Sequence, residues 1–253
     1  MKTLVNLKLE HVKNYSVVTL NRPQVKNAFD PDMISEITAT FKLLSTRKET
    51  DFILMVGEGT AFCAGADLSW MKKMIDYTKA ENKKDSEKMW TMFDTMKNCS
   101  KPVIAKVHGA VFGGALGLVA CSDFVVAEEN TQFCFSEVKL GLAPAVISSF
   151  ILRKVSFAHA QPVMISGDVF STAQALTMGL VHRKYATTIT DDEILKPFLQ
   201  ASPVAMIATK KMMLTLNSDS KWQQKKKMTT TLISSLRVSA DAQNRLKKFL
   251  DKK

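Results

Sequence analysis

In this chain of 253 residues, two glycine-containing turns have residue types and spacing that could do chemistry. One is Ala61-Phe62-Cys63-Ala64-Gly65-Ala66-Asp67-Leu68 and the other is Phe112-Gly113-Gly114-Ala115. Each stands where a strand gives way to a helix, so each can leave backbone N–H groups pointing into a cleft at the positive end of that helix. Two such donors converging on one oxygen make an oxyanion hole, which favours reactions that pass through an enolate. Neither turn is a phosphate loop, because no Gly-Lys-Ser/Thr follows the glycines and no G-x-G-x-x-G spacing occurs. Taken singly, each turn is more often simple packing than a binding site. Asp67 suits both a helix cap and a ligand contact. His11, His108, His159 and His182 lack a spaced carboxylate or cysteine partner, so neither a metal site nor a Ser-His-Asp triad is expected.

The turns must be positioned by an α/β framework, since short β-rich runs alternate with helical patterns through the first half. Residues 16–20 read as a strand ended by Asn21-Arg22-Pro23. Asp30-Pro31 then reads as an N-cap with proline at the first helical position, and Ile34, Ile37, Phe41 and Leu44 keep helical spacing. A second strand over 52–56 leads to the first glycine turn. A long helical stretch follows, with Met89, Met92, Phe93 and Met96 on one face, a stripe that reads as core. The strand 103–107 leads to the second turn and an apolar helix through Cys121, and a strand over 124–127 comes next. From Ser136 onward the chain reads as helices, one opened by Ser171-Thr172 and closed at Gly179, another opened by Ser202-Pro203, and two basic amphipathic stretches at the end. The expected organisation is a core over residues 1–200 and a C-terminal helical region over 201–253.

Composition fits this frame. A hydrophobic fraction of 46% with 23% charged residues belongs to a globular protein and argues against a disordered or fibrous chain. No apolar run reaches the ~18 residues of a membrane span, and the first ten residues do not make a secretory signal. Cys63, Cys99, Cys121 and Cys134 show no C-x-x-C pairing, so they read as small buried hydrophobes in a reducing cytoplasm. The 35 Lys+Arg against 24 Asp+Glu give a formal charge of +11. The excess is mostly lysine in short clusters, among them Lys72-Lys73, Lys210-Lys211, Lys225-Lys226-Lys227 and Lys247-Lys248. Solvated helix faces, a nucleic-acid surface and a phosphate-rich small ligand are the three readings of that excess.

The ordered strings L-N-R-P…K-N-A, A-F-C-A-G-A-D-L, K-P-V-I-A-K-V-H-G-A-V-F-G-G-A-L-G-L-V-A-C-S-D and F-S-E-V-K-L-G-L-A-P resemble the crotonase (enoyl-CoA hydratase/isomerase) superfamily from about residue 16 to the C-terminus. The strings A-D-L-S-W-M-K-K-M and E-V-K-L-G-L-A-P-A-V-I-S look most like its bacterial methylglutaconyl-CoA hydratase branch. The resemblance implies a crotonase-type ββα spiral core with a C-terminal helical layer that builds a homotrimer or homohexamer. It also implies an acyl-CoA thioester substrate, with coenzyme A as part of the substrate and no separate cofactor.

By the same resemblance, the amides of Ala66 and Gly114 hold the thioester oxygen, and Glu137 is the acid/base. Lys26, Ala28, Ala64, Asp67, Leu68, Gly113, Phe249 and Lys252 fall on substrate-binding positions. Hydratases of the family often carry a second glutamate three residues after the oxyanion-hole glycine, and here that residue is Gly117. Hydration of a 2-enoyl-CoA, of methylglutaconyl type, is the leading expectation. A single glutamate suits double-bond isomerisation as well, and an RNA-binding protein on the same scaffold is a third expectation, resting on the lysine clusters.

Overall fold

The computed structural model describes residues 4–187, 189–218 and 220–251. Its main sheet has six strands in the order β1 (Leu7–Val12), β2 (Tyr15–Leu20), β3 (Phe52–Gly57), β4 (Val103–Val107), β6 (Phe124–Glu128) and β9 (Arg183–Tyr185). The β1–β2 pair is an antiparallel hairpin, and every other neighbour is parallel. Alternation along the strands sends side chains to two separate cores. Ile53, Met55, Val103, Ala105, Val125 and Ala127 point to a large core with α1 (Pro31–Thr46), α3 (Lys79–Lys97) and α4 (Ala115–Cys121). Phe52, Leu54, Ile104 and Val126 point the other way, against Ile194 and Leu195 of α8 (Asp191–Gln200). Parallel strands covered on both faces need continuous apolar runs, and Phe52-Ile53-Leu54-Met55-Val56 is one.

A second sheet lies beside the glycine turns. It has three short strands, β5 (Ala110–Phe112), β7 (Gln132–Cys134) and β8 (Phe170–Ser171), with β7 in the middle. β5 and β7 run parallel with Val111 opposite Phe133, and β7 and β8 run antiparallel with Phe133 opposite Phe170. The chain then continues through α5 (Ala145–Ile151), α6 (Phe157–Ser166) and α7 (Thr172–Thr177). The C-terminal helical region is α9 (Pro203–Leu216), α10 (Trp222–Arg237) and α11 (Ala240–Leu250).

Several caps fall where the sequence places them. The Asp30 carboxylate accepts the Met33 amide at 2.8 Å with Pro31 in the first turn, and Ser171 and Ser202 cap α7 and α9. The lysine-rich C-terminal helices are not uniformly solvated, however. Lys210 is the buried residue of α9, and its Nζ donates to Asp123 Oδ2 at 2.6 Å and to the Lys101 carbonyl at 2.9 Å. That residue is a structural cation joining the C-terminal helices to the sheet, not part of a basic surface. Among the described residues no helix is long and apolar enough to cross a membrane.

Candidate active site

β5 is the element on which the site is assembled. On one side, Cys63 bridges Val111 in parallel fashion, and on the other Val111 faces Phe133. Residues that follow these three points therefore emerge at one edge: Ala64 to Asp67, Gly113-Gly114, and Phe135 to Glu137. The first of these segments is also laced to residues 26–29. The Ala64 amide donates to the Lys26 carbonyl at 2.9 Å, Phe29 to Gly65 at 2.7 Å and Asp67 to Phe29 at 2.8 Å. Such alternation leaves the Ala66 N–H facing the other way, and among the described residues it has no acceptor.

The glycines are needed for this close approach. Gly65 has a φ of 99°, and a Cβ there would stand 3.0 Å from the Phe112 carbonyl oxygen. Gly113, at a φ of 53°, spends its N–H on the Cys134 carbonyl at 2.8 Å, which turns the chain so that the next amide is the one left over. That amide is Gly114, the N-cap of α4, and its N–H likewise has no acceptor among the described residues. A Cβ on Gly114 would be 3.2 Å from the Phe29 ring, the same residue that is bonded to Gly65 and Asp67. Two unpaired amides thus stand on facing turns, each of which packs on Phe29 or Phe112.

Glu137 lies in a 3-10 turn, Ser136–Leu140, that Gly141 closes in the left-handed conformation. Its Oε1 would be 3.4 Å from a Cβ on Gly113, so the carboxyl group lies against the second turn. Its Oε2 is buried and unpartnered among the described residues. Burial pushes its pKa above the usual carboxylate value, and a hydrogen bond from its own backbone amide offsets only part of this. A carboxyl group against a glycine turn, with one oxygen unpartnered among the described residues, can accept a proton from carbon or from water and return it.

Gly117 sits one turn into α4, deep in the apolar core. A Cβ there would meet the Phe93 ring at 2.5 and 2.6 Å and Ile147 Cγ2 at 2.8 Å. Phe93 is itself fully buried and packs on Phe150 with ring centroids 5.6 Å apart. The space a second glutamate would need is filled by hydrocarbon.

The remaining sequence-derived positions fall at different distances from this centre. Ala28 is buried and Ala64 half-buried, both within the 26–29/64–67 ladder. Asp67 is buried and caps α2 (Leu68–Met74) through the Ser69 amide at 2.8 Å, while its other oxygen takes the Arg22 guanidinium at 2.9 Å. Burial alone would raise its pKa, but the Ser69 and Trp70 amides and Arg22 outweigh that and hold it below the ordinary value. Lys26 is exposed and left-handed at a φ of 51°, closing the turn Pro23–Val25, and Leu68 is 75% exposed. Phe249 is 60% exposed on α11, away from the three converging segments, and Lys252 lies outside the described residues.

Sequence reasoning missed Phe93 and Ile147 as the residues that close the Gly117 position, and Arg22 as a partner of Asp67. It also missed Lys154, whose Nζ donates to the Ser122 and Val119 carbonyls at 2.6 and 3.2 Å and closes the C-terminal end of α4. Burial brings the Lys154 pKa down to about 8. A cavity of about 860 Å³ opens at that same end, between α4 and α9, and includes neither Glu137 nor the two turns. Glu137 and the two glycine turns stand at the other end of α4.

Comparison with known proteins gives the family and the fold. The enoyl-CoA hydratase/isomerase family pattern matches residues 10–253. The chain is 30% identical to the crotonyl-CoA hydratase of Syntrophomonas wolfei over 70% of its own length and 68% of that relative's. It is 26% identical to the trans-2-decenoyl-[acyl-carrier-protein] isomerase of Streptococcus mutans over 94% of this chain and 92% of the relative. The crystal structure of an enoyl-CoA hydratase from Shewanella pealeana superposes with a TM-score of 0.88 at 32% identity, covering all of this chain and 96% of that one. By family, and by the names of its relatives, this chain is an enoyl-CoA hydratase-type enzyme: it belongs to the enoyl-CoA hydratase/isomerase family of the crotonase superfamily.

Proposed function

We propose that the protein hydrates a 2-enoyl-CoA thioester with Glu137 as its only acid/base and the Ala66 and Gly114 amides as its oxyanion hole. The observation that carries this reading is the Glu137 carboxyl group beside Gly113, with one buried oxygen unpartnered, and two unpaired amides on the adjoining turns, among the described residues. Addition of water to Cβ puts negative charge on the thioester oxygen, where two fixed N–H donors stabilise it. Loss of one such donor typically costs ~3 to 4 kcal/mol. Glu137 takes a proton from the attacking water and delivers one to Cα. The branched glutaconyl-type acyl group is supported by the A-D-L-S-W-M-K-K-M and E-V-K-L-G-L-A-P-A-V-I-S strings.

A second reading, migration of the double bond between the 3- and 2-positions, is favoured by one specific observation. Phe93 and Ile147 fill the place of a second carboxylate, and proton shuttling between Cα and Cγ needs only one. Lys26 and the C-terminal residues Phe249 and Lys252 belong to the proposal as contacts to coenzyme A. The exposed Trp222, Ile233 and Leu250 of α10 and α11 support a homotrimer or homohexamer.

The test is product mass after incubation with a 2-enoyl-CoA and, separately, with a 3-enoyl-CoA, for the wild type and Glu137→Gln. Hydration adds the mass of water and isomerisation adds nothing. The variant should lose ~10²- to 10⁴-fold in kcat, the usual contribution of a positioned proton-transfer group, and still bind the CoA ester. Near-normal turnover by Glu137→Gln would refute the assignment of the base.

A further inference from the structure

Arg22 is half-buried next to the first turn, and no step of the proposed chemistry uses it. Its guanidinium reaches three oxygens. Nη2 contacts Asp67 Oδ2 at 2.9 Å and Asp30 Oδ2 at 3.1 Å, and Nη1 donates to the Ala28 carbonyl at 2.5 Å. The side chain is 15% exposed, against 8% for Asp67 and 21% for Asp30. Both carboxylates already work as helix caps, Asp30 for α1 and Asp67 for α2. One cation therefore ties together the start of α1, the start of α2 and the short segment between Ala28 and Asp30. The Arg22 backbone is fixed in turn by Asn27, whose Oδ1 accepts the Arg22 amide at 2.8 Å and whose Nδ2 donates to the Glu58 and Ala61 carbonyls, each at 2.8 Å. Asn27 is itself fully buried.

This places Arg22 on both sides of the Ala66 amide. Phe29 and Asp67 hold the backbone before and after Ala66, through the Phe29–Gly65 and Asp67–Phe29 hydrogen bonds. The guanidinium grips the residue before Phe29, the residue after it, and Asp67 itself. We propose that Arg22 is a positioning residue for the reaction, setting the direction of the Ala66 N–H toward the thioester oxygen by bridging Ala28, Asp30 and Asp67. The planar fork of arginine meets three oxygens at fixed angles, whereas a lysine ammonium on a shorter, freely rotating reach cannot hold all three together. An oxyanion donor acts on charge that develops in the transition state, so its misalignment lowers kcat and leaves ground-state binding largely unchanged. The inference rests on Ala66 being an oxyanion-hole donor.

The experiment compares wild type, Arg22→Lys, Arg22→Met and Asp30→Asn by steady-state kinetics, melting temperature, and the absorption shift of a conjugated dienoyl-CoA thioester on binding. That shift reads polarisation of the thioester carbonyl directly. The expected result for both Arg22 variants is a fall in kcat of ~10- to 100-fold, the scale on which small misplacements of catalytic groups are felt, with KM within ~2-fold and a smaller absorption shift. Asp30→Asn keeps the cap to Met33 and removes one charge partner, so it should fold and show the same pattern more weakly. Folded Arg22 variants with wild-type kcat and wild-type absorption shift would overturn the proposal, as would a fall in kcat with an unchanged shift. If the Arg22 variants do not fold, a wild-type shift and kcat in Asp30→Asn overturns it. Absence of any shift in the wild type would instead sink the oxyanion-hole reading itself.

Discussion

Gly117→Ala, combined with Phe93→Ala, tests whether the position of the second glutamate is closed. In the native structure a methyl group at Gly117 would lie 2.5 to 2.8 Å from Phe93 and Ile147, against the ~3.5 to 4.0 Å of a favourable carbon contact. Phe93 has Phe150 behind it and no exposed surface, so its ring has nowhere to go. Overpacking of this kind costs ~1 to 3 kcal/mol. Replacing glycine within α4 returns ~1 kcal/mol of helix propensity, so the single variant should be destabilised by about 0 to 2 kcal/mol. Phe93→Ala alone should cost ~3 to 5 kcal/mol through the cavity it leaves. In the double variant the clash with the Phe93 ring disappears, the 2.8 Å approach to Ile147 Cγ2 stays, and the propensity gain remains. The propensity term and the Ile147 part of the clash cancel from the cycle, leaving a favourable coupling of about 1 to 2 kcal/mol from the Phe93 ring. Equilibrium urea unfolding of the four proteins at one protein concentration measures it. A coupling indistinguishable from zero would refute the reasoning, since it would mean that Phe93 does not occupy the space beside Gly117.

Two further outcomes follow from the perturbed groups. The acidic limb of kcat/KM against pH should lie above 4.5, because burial raises the Glu137 pKa and the base must be ionised to act; activity therefore rises with pH through that raised value. A limb at or below 4.5 would contradict the burial of this carboxyl group. Cys63 and Cys121 are buried with pKa values pushed up to about 12, so in the native enzyme both should resist alkylation at neutral pH and react only on unfolding. Rapid modification of either, followed by mass spectrometry of peptides, would show that the surrounding core opens.

Elements with strong local signals were legible residue by residue. Asp30-Pro31 opens α1, Val103–Val107 is a strand from end to end, and the apolar helix after the Gly-Gly turn ends at Cys121. The three-residue strands β5 and β7 were not, because so short a run shows no alternation and its pairing is wholly long-range. The site divides in the same way. Gly65, Gly113 and Gly114 declare themselves by type, and Glu137 by its place in the family string. Phe93 was legible as core, yet no spacing rule tells that a residue 24 positions before Gly117 lies against it. Arg22 stayed hidden for a related reason: its two acidic partners each have a sufficient local role as a helix cap.

β5 also decides when the enzyme becomes an enzyme. Its three residues are absent from the six-stranded sheet, and the two glycine turns and Glu137, the proposed site, come together only where Cys63, Val111 and Phe133 are in register. A chain that has formed its main sheet and most of its helices still has no site, because those contacts join segments separated by about 20 to 50 residues, the kind whose loop entropy is met before any contact rewards it. Spectra dominated by helix content would register such a chain as nearly native. Turnover is thus the stricter gauge of complete folding, and in refolding it should be the last signal to return.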